Sequence, residues 1–335
     1  MQLYNKKKRK EKMSKKIALL FPGYGSQYVG MGKELYDEYR IVQEYFEEAS
    51  SCLDINFVKL CFASSDSELG KMANAYTSLF LVGSAVFALL KENGIESDIV
   101  AGYNNGESAA LFAGGCFSLP DGLYLLNKFA SFYQSIVETM DLVALHVMGV
   151  TTTHLEEACH KVNSIDGHVF VAIYNNRTDH IIVGNAEKVA RIQHLFGSEA
   201  GVVIEDASID VGLHSPLAAA IVVRFKPSLE KVDFKDMRIP LISNIDGKII
   251  TDGAESKERF IAHINSPVMM SAVLRRLGDY DIIIVACPGD QLSAMVKSQY
   301  PEKTVMTIAK KADLEELKKL IVVEQTVTES EHNDN

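Results

Sequence analysis

Between Asp98 and Phe117 the chain reads D-I-V-A-G-Y-N-N-G-E-S-A-A-L-F-A-G-G-C-F. A short apolar run, Ile99 to Ala101, breaks at Gly102 and restarts after Gly106 as a helix of small residues. Strand, tight turn and helix in that order are the layout of a nucleophile elbow, G-x-S-x-G. Such a turn lifts its middle residue into a cleft at the top of a sheet. The following helix aims its N-terminal N–H groups at the same spot, where they can hold a developing oxyanion. Both glycines are in place, followed by Glu107, but the middle position is Asn104. A carboxamide nitrogen shares its lone pair with its own carbonyl and does not attack acyl carbons. Asparagine does tolerate positive φ, so it can occupy a strained elbow at little cost. Ser108 lies one helical turn further on, along the helix rather than at its tip, and so is out of the nucleophile's place. Glu107 is expected to partner the helix dipole rather than form a carboxylate pair with Asp98.

Two further stretches extend the pattern: Phe21-Pro22-Gly23-Tyr24-Gly25-Ser26-Gln27 upstream and Leu213-His214-Ser215-Pro216-Leu217 downstream. Together the three resemble the malonyl-CoA:acyl-carrier-protein transacylase family and the related acyltransferase domains of polyketide synthases. Members carry F-P-G-Q-G-S-Q, then G-H-S-x-G-E, then a histidine followed by a small residue. The resemblance runs from about Lys16 to Leu320. It implies a serine–histidine scheme in which histidine takes the serine proton, serine attacks a thioester and backbone amides hold the oxyanion. Carried over residue by residue, it puts Asn104 in the nucleophile's position, His214 in the base position, and Tyr24 and Asn105 at the oxyanion hole.

The same resemblance assigns Tyr76, Tyr103, Phe129, Asn175 and Asn244 to the acyl or substrate pocket. Several depart from the family pattern. Tyr103 replaces the histidine before the nucleophile, and Tyr76 and Tyr24 stand where members have glutamine. Phe129 falls where malonyl-specific members place an arginine. Lys128 beside it points about 100° away on a helix, and an ammonium does not grip a carboxylate bidentately as a guanidinium does. The exchanges all run from polar to aromatic. They predict either an apolar pocket whose affinity rises with acyl chain length, about 0.8 kcal/mol per buried CH₂, or a site repacked as core.

The implied ligand is a CoA or phosphopantetheine thioester, with no bound cofactor and no metal. The implied partners are an acyl carrier protein and acyl-CoA. Two functions follow. One is a non-catalytic member that keeps an acyl or carrier-binding cleft in fatty acid or polyketide biosynthesis. The other is an active acyltransferase or acyl-thioester hydrolase that uses an unconventional group with His214.

The elements that must position these residues are legible from pattern. Hydrophobic residues make up 47% of the 335 and charged residues 23%, as in globular enzymes. The net charge of −10 argues against nucleic-acid binding. No apolar run reaches the ~18 residues of a membrane span and no signal-peptide pattern is present, so a cytoplasmic protein is expected. Cys52, Cys61, Cys116, Cys159 and Cys287 are scattered and odd in number, which predicts reduced, mostly buried thiols.

Ile17 to Phe21 and Ile282 to Ala286 read as buried strands. Helices are predicted over Met31 to Ser51, Tyr76 to Asn93 with Gly94 closing it, and Pro120 to Val137. From Val143 to Ser208 the order becomes strand-helix-strand-strand-helix-strand. The fold class is therefore α/β: a large α/β-hydrolase-like subdomain (16–142 and 209–322) on a mostly parallel sheet, interrupted by a ferredoxin-like subdomain (143–208). Residues 1–15, with the basic run from Lys6 to Lys16, read as a disordered extension preceding a start near Met13, although a basic run also suits an acidic partner. The acidic tail 323–335 reads as disordered.

Overall fold

A computed structural model describes residues 15–137, 140–163, 168–207 and 212–330. The basic run before Lys15 and the last five residues of the tail lie outside the described residues. Among the described residues ten strands form two sheets. In chain order they are β1 (Ile17–Phe21), β2 (Ile99–Gly102), β3 (Leu142–Met148), β4 (Val169–Tyr174), β5 (Asp179–Asn185), β6 (Val203–Asp206), β7 (Leu241–Ile242), β8 (Ile249–Ile250), β9 (Ile282–Ala286) and β10 (Thr304–Ile308).

The large sheet has the order β10-β9-β1-β2-β7-β8, and every pairing is parallel except the short β7–β8 hairpin. Strand β1 is apolar throughout because both of its faces are covered, as parallel sheets require. Leu19 and Phe21 face one core beneath the Met72–Glu92 helix, while Ala18 and Leu20 face a second. By length and hydropathy the Met72–Glu92 helix could cross a bilayer, which a scan for uninterrupted apolar runs overlooks. It is buried along most of its length as the central helix of the larger core. Four of the five cysteines are buried and all are free.

The small sheet, β4-β5-β3-β6, is wholly antiparallel. Its two crossover helices, Thr152–Asn163 and Ala186–Phe196, cover one face with Leu145, Val147, Val171 and Ile182 beneath them. This is the split β-α-β order read from the sequence. The other face, carrying Ala144, Ala172, Ile181 and Val183, packs against the second core of the large sheet. A backbone exchange fixes that contact: Tyr174 N–H donates to the Val268 carbonyl and Val268 N–H to the Ala172 carbonyl, each at 2.8 Å.

The helical stretch read over Met31 to Ser51 comprises two helices, Lys33–Glu38 and Arg40–Leu53, with Tyr39 in extended backbone between them. The last helix, Lys311–Ser330, runs past Val323 into the stretch expected to be disordered. Its sequence up to Gln325 is dominated by Lys, Glu, Leu and Ala, all strong helix formers.

Candidate active site

Strands β1 and β2 are parallel neighbours with Phe21 opposite Gly102, so the loops that follow them leave the same edge of the sheet. Ligands of parallel α/β sheets bind at that edge. The loop after β2 turns sharply through Asn104, whose φ is 52°. The two glycines permit the sharpness by close approach rather than by unusual dihedrals. A Cβ on Gly102 would lie 2.1 Å from Glu107 N, and one on Gly106 would lie 2.3 Å from the Phe21 carbonyl oxygen. The elbow predicted from the sequence is therefore present, with an asparagine at its tip.

His214 arrives from the opposite side, also in the left-handed region with φ 57°. Its Nε2 is 3.0 Å from the Asn104 side-chain amide at Oδ1, and its Nδ1 is 2.8 Å from the His263 carbonyl oxygen. Both groups are buried, Asn104 completely. A carbonyl only accepts, so Nδ1 carries the ring proton. Burial lowers the His214 pKa to about 4, against the pull of the His263 and Ser266 carbonyls, so the ring is neutral and Nε2 is an acceptor. The amide is then satisfied by a half-turn that presents its NH₂ to Nε2, since Oδ1 and Nδ2 are told apart only by their partners. Asn104 thus offers His214 the donor that a serine hydroxyl would offer.

Two residues behind the tip hold it in place. Glu107 is buried at the helix start, and its Oε2 accepts the Asn244 N–H at 2.6 Å. Asn244 Nδ2 in turn donates to the Asn104 carbonyl at 3.0 Å. Glu107 therefore braces the turn Ser243–Gly247 rather than simply meeting a helix dipole. Asp98 is elsewhere, accepting from Ile17 N–H at 2.7 Å, so the two carboxylates do not pair.

The residues expected around an acyl group are divided between two cavities. A small one, about 40 Å³, is lined by Tyr76, Asn104, Asn105, Ser108, Phe129 and His214, among others. Its wall is an aromatic cluster: Tyr76 stacks on Phe129 with centroids 5.7 Å apart, and Phe129 meets Phe225 edge-on at 5.6 Å. At roughly 10–15 Å³ per water, this is room for about three or four waters or a short acyl group, not for a long chain. The expectation that affinity rises with chain length loses its physical basis, because the rings fill the space. Ser108, expected along the helix and away from the site, does line this cavity.

A larger cleft of about 380 Å³ lies between the two sheets, lined by the Pro22–Ser26 loop on one side and by His146, Asn175, Asp179, Glu205 and Asp206 on the other. Tyr103 and Asn175 belong to it rather than to the small cavity. The Tyr103 hydroxyl donates to Asn175 Oδ1 at 3.1 Å, Asn175 Nδ2 donates to Asp179 Oδ1 at 2.8 Å, and His146 Nε2 reaches the same oxygen at 2.7 Å. Asn244 lines neither cavity; it stands behind the elbow.

Tyr24 N–H, expected to serve an oxyanion, donates to Asn105 Oδ1 at 2.5 Å. Three residues of the site, His263, Phe225 and Phe260, are not recoverable from the motifs. His263 lies against His214 with ring centroids 4.6 Å apart, and it too lines the small cavity. Its Nε2 has no hydrogen-bond partner among the described residues, and burial holds its pKa well below the ordinary histidine value. Phe225 and Phe260 complete the aromatic wall. A histidine three residues ahead of Ser266-Pro267 was the one available signal.

Comparison with known proteins agrees with this architecture. The acyl transferase domain model matches residues 18–324. The malonyl CoA-acyl carrier protein transacylase of Bacillus subtilis strain 168 is 32% identical over 287 residues, covering 84% of this chain and 90% of that protein. FabD from Acinetobacter baumannii superposes with a TM-score of 0.87 at 26% identity, covering 93% of this chain and all of the other. A malonyl-transacylase solved in complex with its type II polyketide synthase acyl-carrier protein, PlMCAT:AntF, shares the fold with a TM-score of 0.84 at 21% identity, covering 89% of this chain and 97% of that one. With its elbow, its facing histidine and a family match across most of its length, the chain belongs to the acyl transferase domain family.

Proposed function

We propose that this protein is a non-catalytic member of the acyl transferase family that serves fatty acid or polyketide synthesis by binding a short acyl thioester or its carrier. The observation that carries this reading is Asn104: fully buried at the elbow tip, in the left-handed conformation and bonded to His214. Its amide cannot attack a thioester, and the neutral ring opposite it has no nucleophile proton to remove. Loss of a triad nucleophile alone lowers kcat by about 10⁶-fold, with residual effects from the remaining donors. The carrier protein is supported as a partner by the relative solved with one. A malonyl group is disfavoured because Phe129, packed among aromatic rings, supplies no cation for its second carboxylate.

The test is incubation with acetyl-CoA and malonyl-CoA followed by intact mass. No covalent adduct is expected from either. An adduct mapped to a residue of the small cavity overturns the reading. The second reading, an active enzyme, draws on Ser108, which lines the same cavity as His214. An acyl group on Ser108, lost in Ser108→Ala, would carry it.

A further inference from the structure

Asn105 adds a second obstacle, independent of the missing serine. Tyr24 follows the P-G of the first loop, and its backbone N–H aims at the elbow. That is the geometry of an oxyanion donor: an amide beside the tip residue, fixed by a loop that crosses the start of the helix. The acceptor it meets is not solvent or a ligand. It is Oδ1 of Asn105, at 2.5 Å, and that oxygen would also sit 3.1 Å from a Cβ on Gly23. Asn105 is 8% exposed, and its side-chain carbonyl oxygen takes, from within the chain, the hydrogen bond that the Tyr24 N–H would otherwise offer to a substrate oxygen.

We propose that the Asn105 side chain is an internal plug of the oxyanion site, so that restoring a nucleophile alone does not restore acyl transfer. The inference rests on the reading of Asn104 as a lost nucleophile and names a positioning residue that acts through Tyr24. In an Asn104→Ser variant, the introduced hydroxyl oxygen forms a bond to the acyl carbon while its proton passes to His214 Nε2. The carbonyl π electrons move onto oxygen, then return as the leaving group departs with its bonding pair. The transient negative oxygen needs the Tyr24 N–H, and Oδ1 of Asn105 holds it.

The experiment measures acylation by para-nitrophenyl acetate, read as the burst of nitrophenolate and as the acetyl adduct by intact mass. It compares wild type, N104S, N104S/N105A and N104S/N105D. Wild type should show no burst. N104S should acylate slowly, and N104S/N105A about 10²-fold faster, the size of effect found when one oxyanion donor is gained or lost. N104S/N105D should be slower than N104S, because a carboxylate keeps the N–H and repels a developing oxyanion. If N105A unfolds, as thermal denaturation would reveal, the aspartate variant decides the matter by its direction. Equal rates for N104S and its Asn105 variants overturn the plug and leave the reading of Asn104 standing. A burst in wild type overturns the reading of Asn104 itself.

Discussion

Glu107 opens a helix, where a carboxylate is usually exposed and ionised, yet here it is 2% exposed and spends its oxygen on the Asn244 N–H. Burial raises its pKa to about 7, with the Asn244 hydrogen bond and Arg259 opposing the rise. An acid whose folded pKa exceeds its unfolded value binds protons more tightly when folded. Its contribution to stability is therefore full below about pH 4.5 and falls as pH rises to about 7. His214 has the opposite sign. Its pKa is lowered to about 4, so its contribution rises with pH between about 4 and 6.5 and opposes that of Glu107. A difference measurement separates them. Glu107→Gln keeps a carbonyl acceptor for Asn244 and removes the titration. Urea midpoints at pH 4.5, 6 and 8 should coincide for variant and wild type at the lowest pH. The variant should be more stable by about 3 kcal/mol at the highest, the scale of a carboxyl raised from 4.5 to about 7. A gap that does not change with pH would show that Glu107 does not titrate in this window.

The elbow as an element depends on approach distance more than on backbone freedom, and two glycines separate these causes. Gly106 has an ordinary helical φ of −58°, but an added methyl would strike the carbonyls of Phe21 and Pro22. Gly94 has φ 72°, and a methyl there would meet nothing within 4 Å, so alanine costs only the left-handed conformation. Gly106→Ala should cost at least about 2–3 kcal/mol in chemical denaturation, in the range of overpacked sites. Gly94→Ala should cost about 1 kcal/mol. Equal costs would mean that the elbow relaxes around the methyl. This contrast also explains what was legible beforehand. The strand-turn-helix at residues 98–117, the paired loop after β1 and the split β-α-β order follow from local pattern, because burial on two faces writes continuous apolar runs into β1 and β9. The facing of Asn104 and His214 was legible through the family motifs. The break at Tyr39 was not, because apolar spacing continues across it. Nor was the partner of Tyr24, since whether Asn105 turns its amide inward depends on a loop far away in sequence.

At the scale of the whole molecule, the two sheets leave a cleft whose chemistry differs from that of the small cavity. Among its described lining residues there is no lysine or arginine, while Asp179, Glu205 and Asp206 are present. His146 lies between two of them, 2.7 Å from Asp179 and 3.5 Å from Glu205, and the Asp179 hydrogen bond raises its pKa. Even with His146 charged, the lining keeps an excess of negative charge, within a chain of net charge −10. A cleft of one sign concentrates its field and discriminates against ligands of the same sign. CoA carries several phosphate charges, whereas acetyl-pantetheine carries none, and both present the same thioester. Calorimetric titration at low salt should therefore find acetyl-pantetheine binding about tenfold more tightly than acetyl-CoA, the lower end of such focusing effects. The gap should narrow as the Debye length falls from about 30 Å at 0.01 M to about 8 Å at 0.15 M. Asp206→Asn should narrow it at low salt without changing acetyl-pantetheine affinity. Tighter binding of acetyl-CoA, weakening as salt is added, would contradict this and place a basic phosphate grip outside the cleft lining.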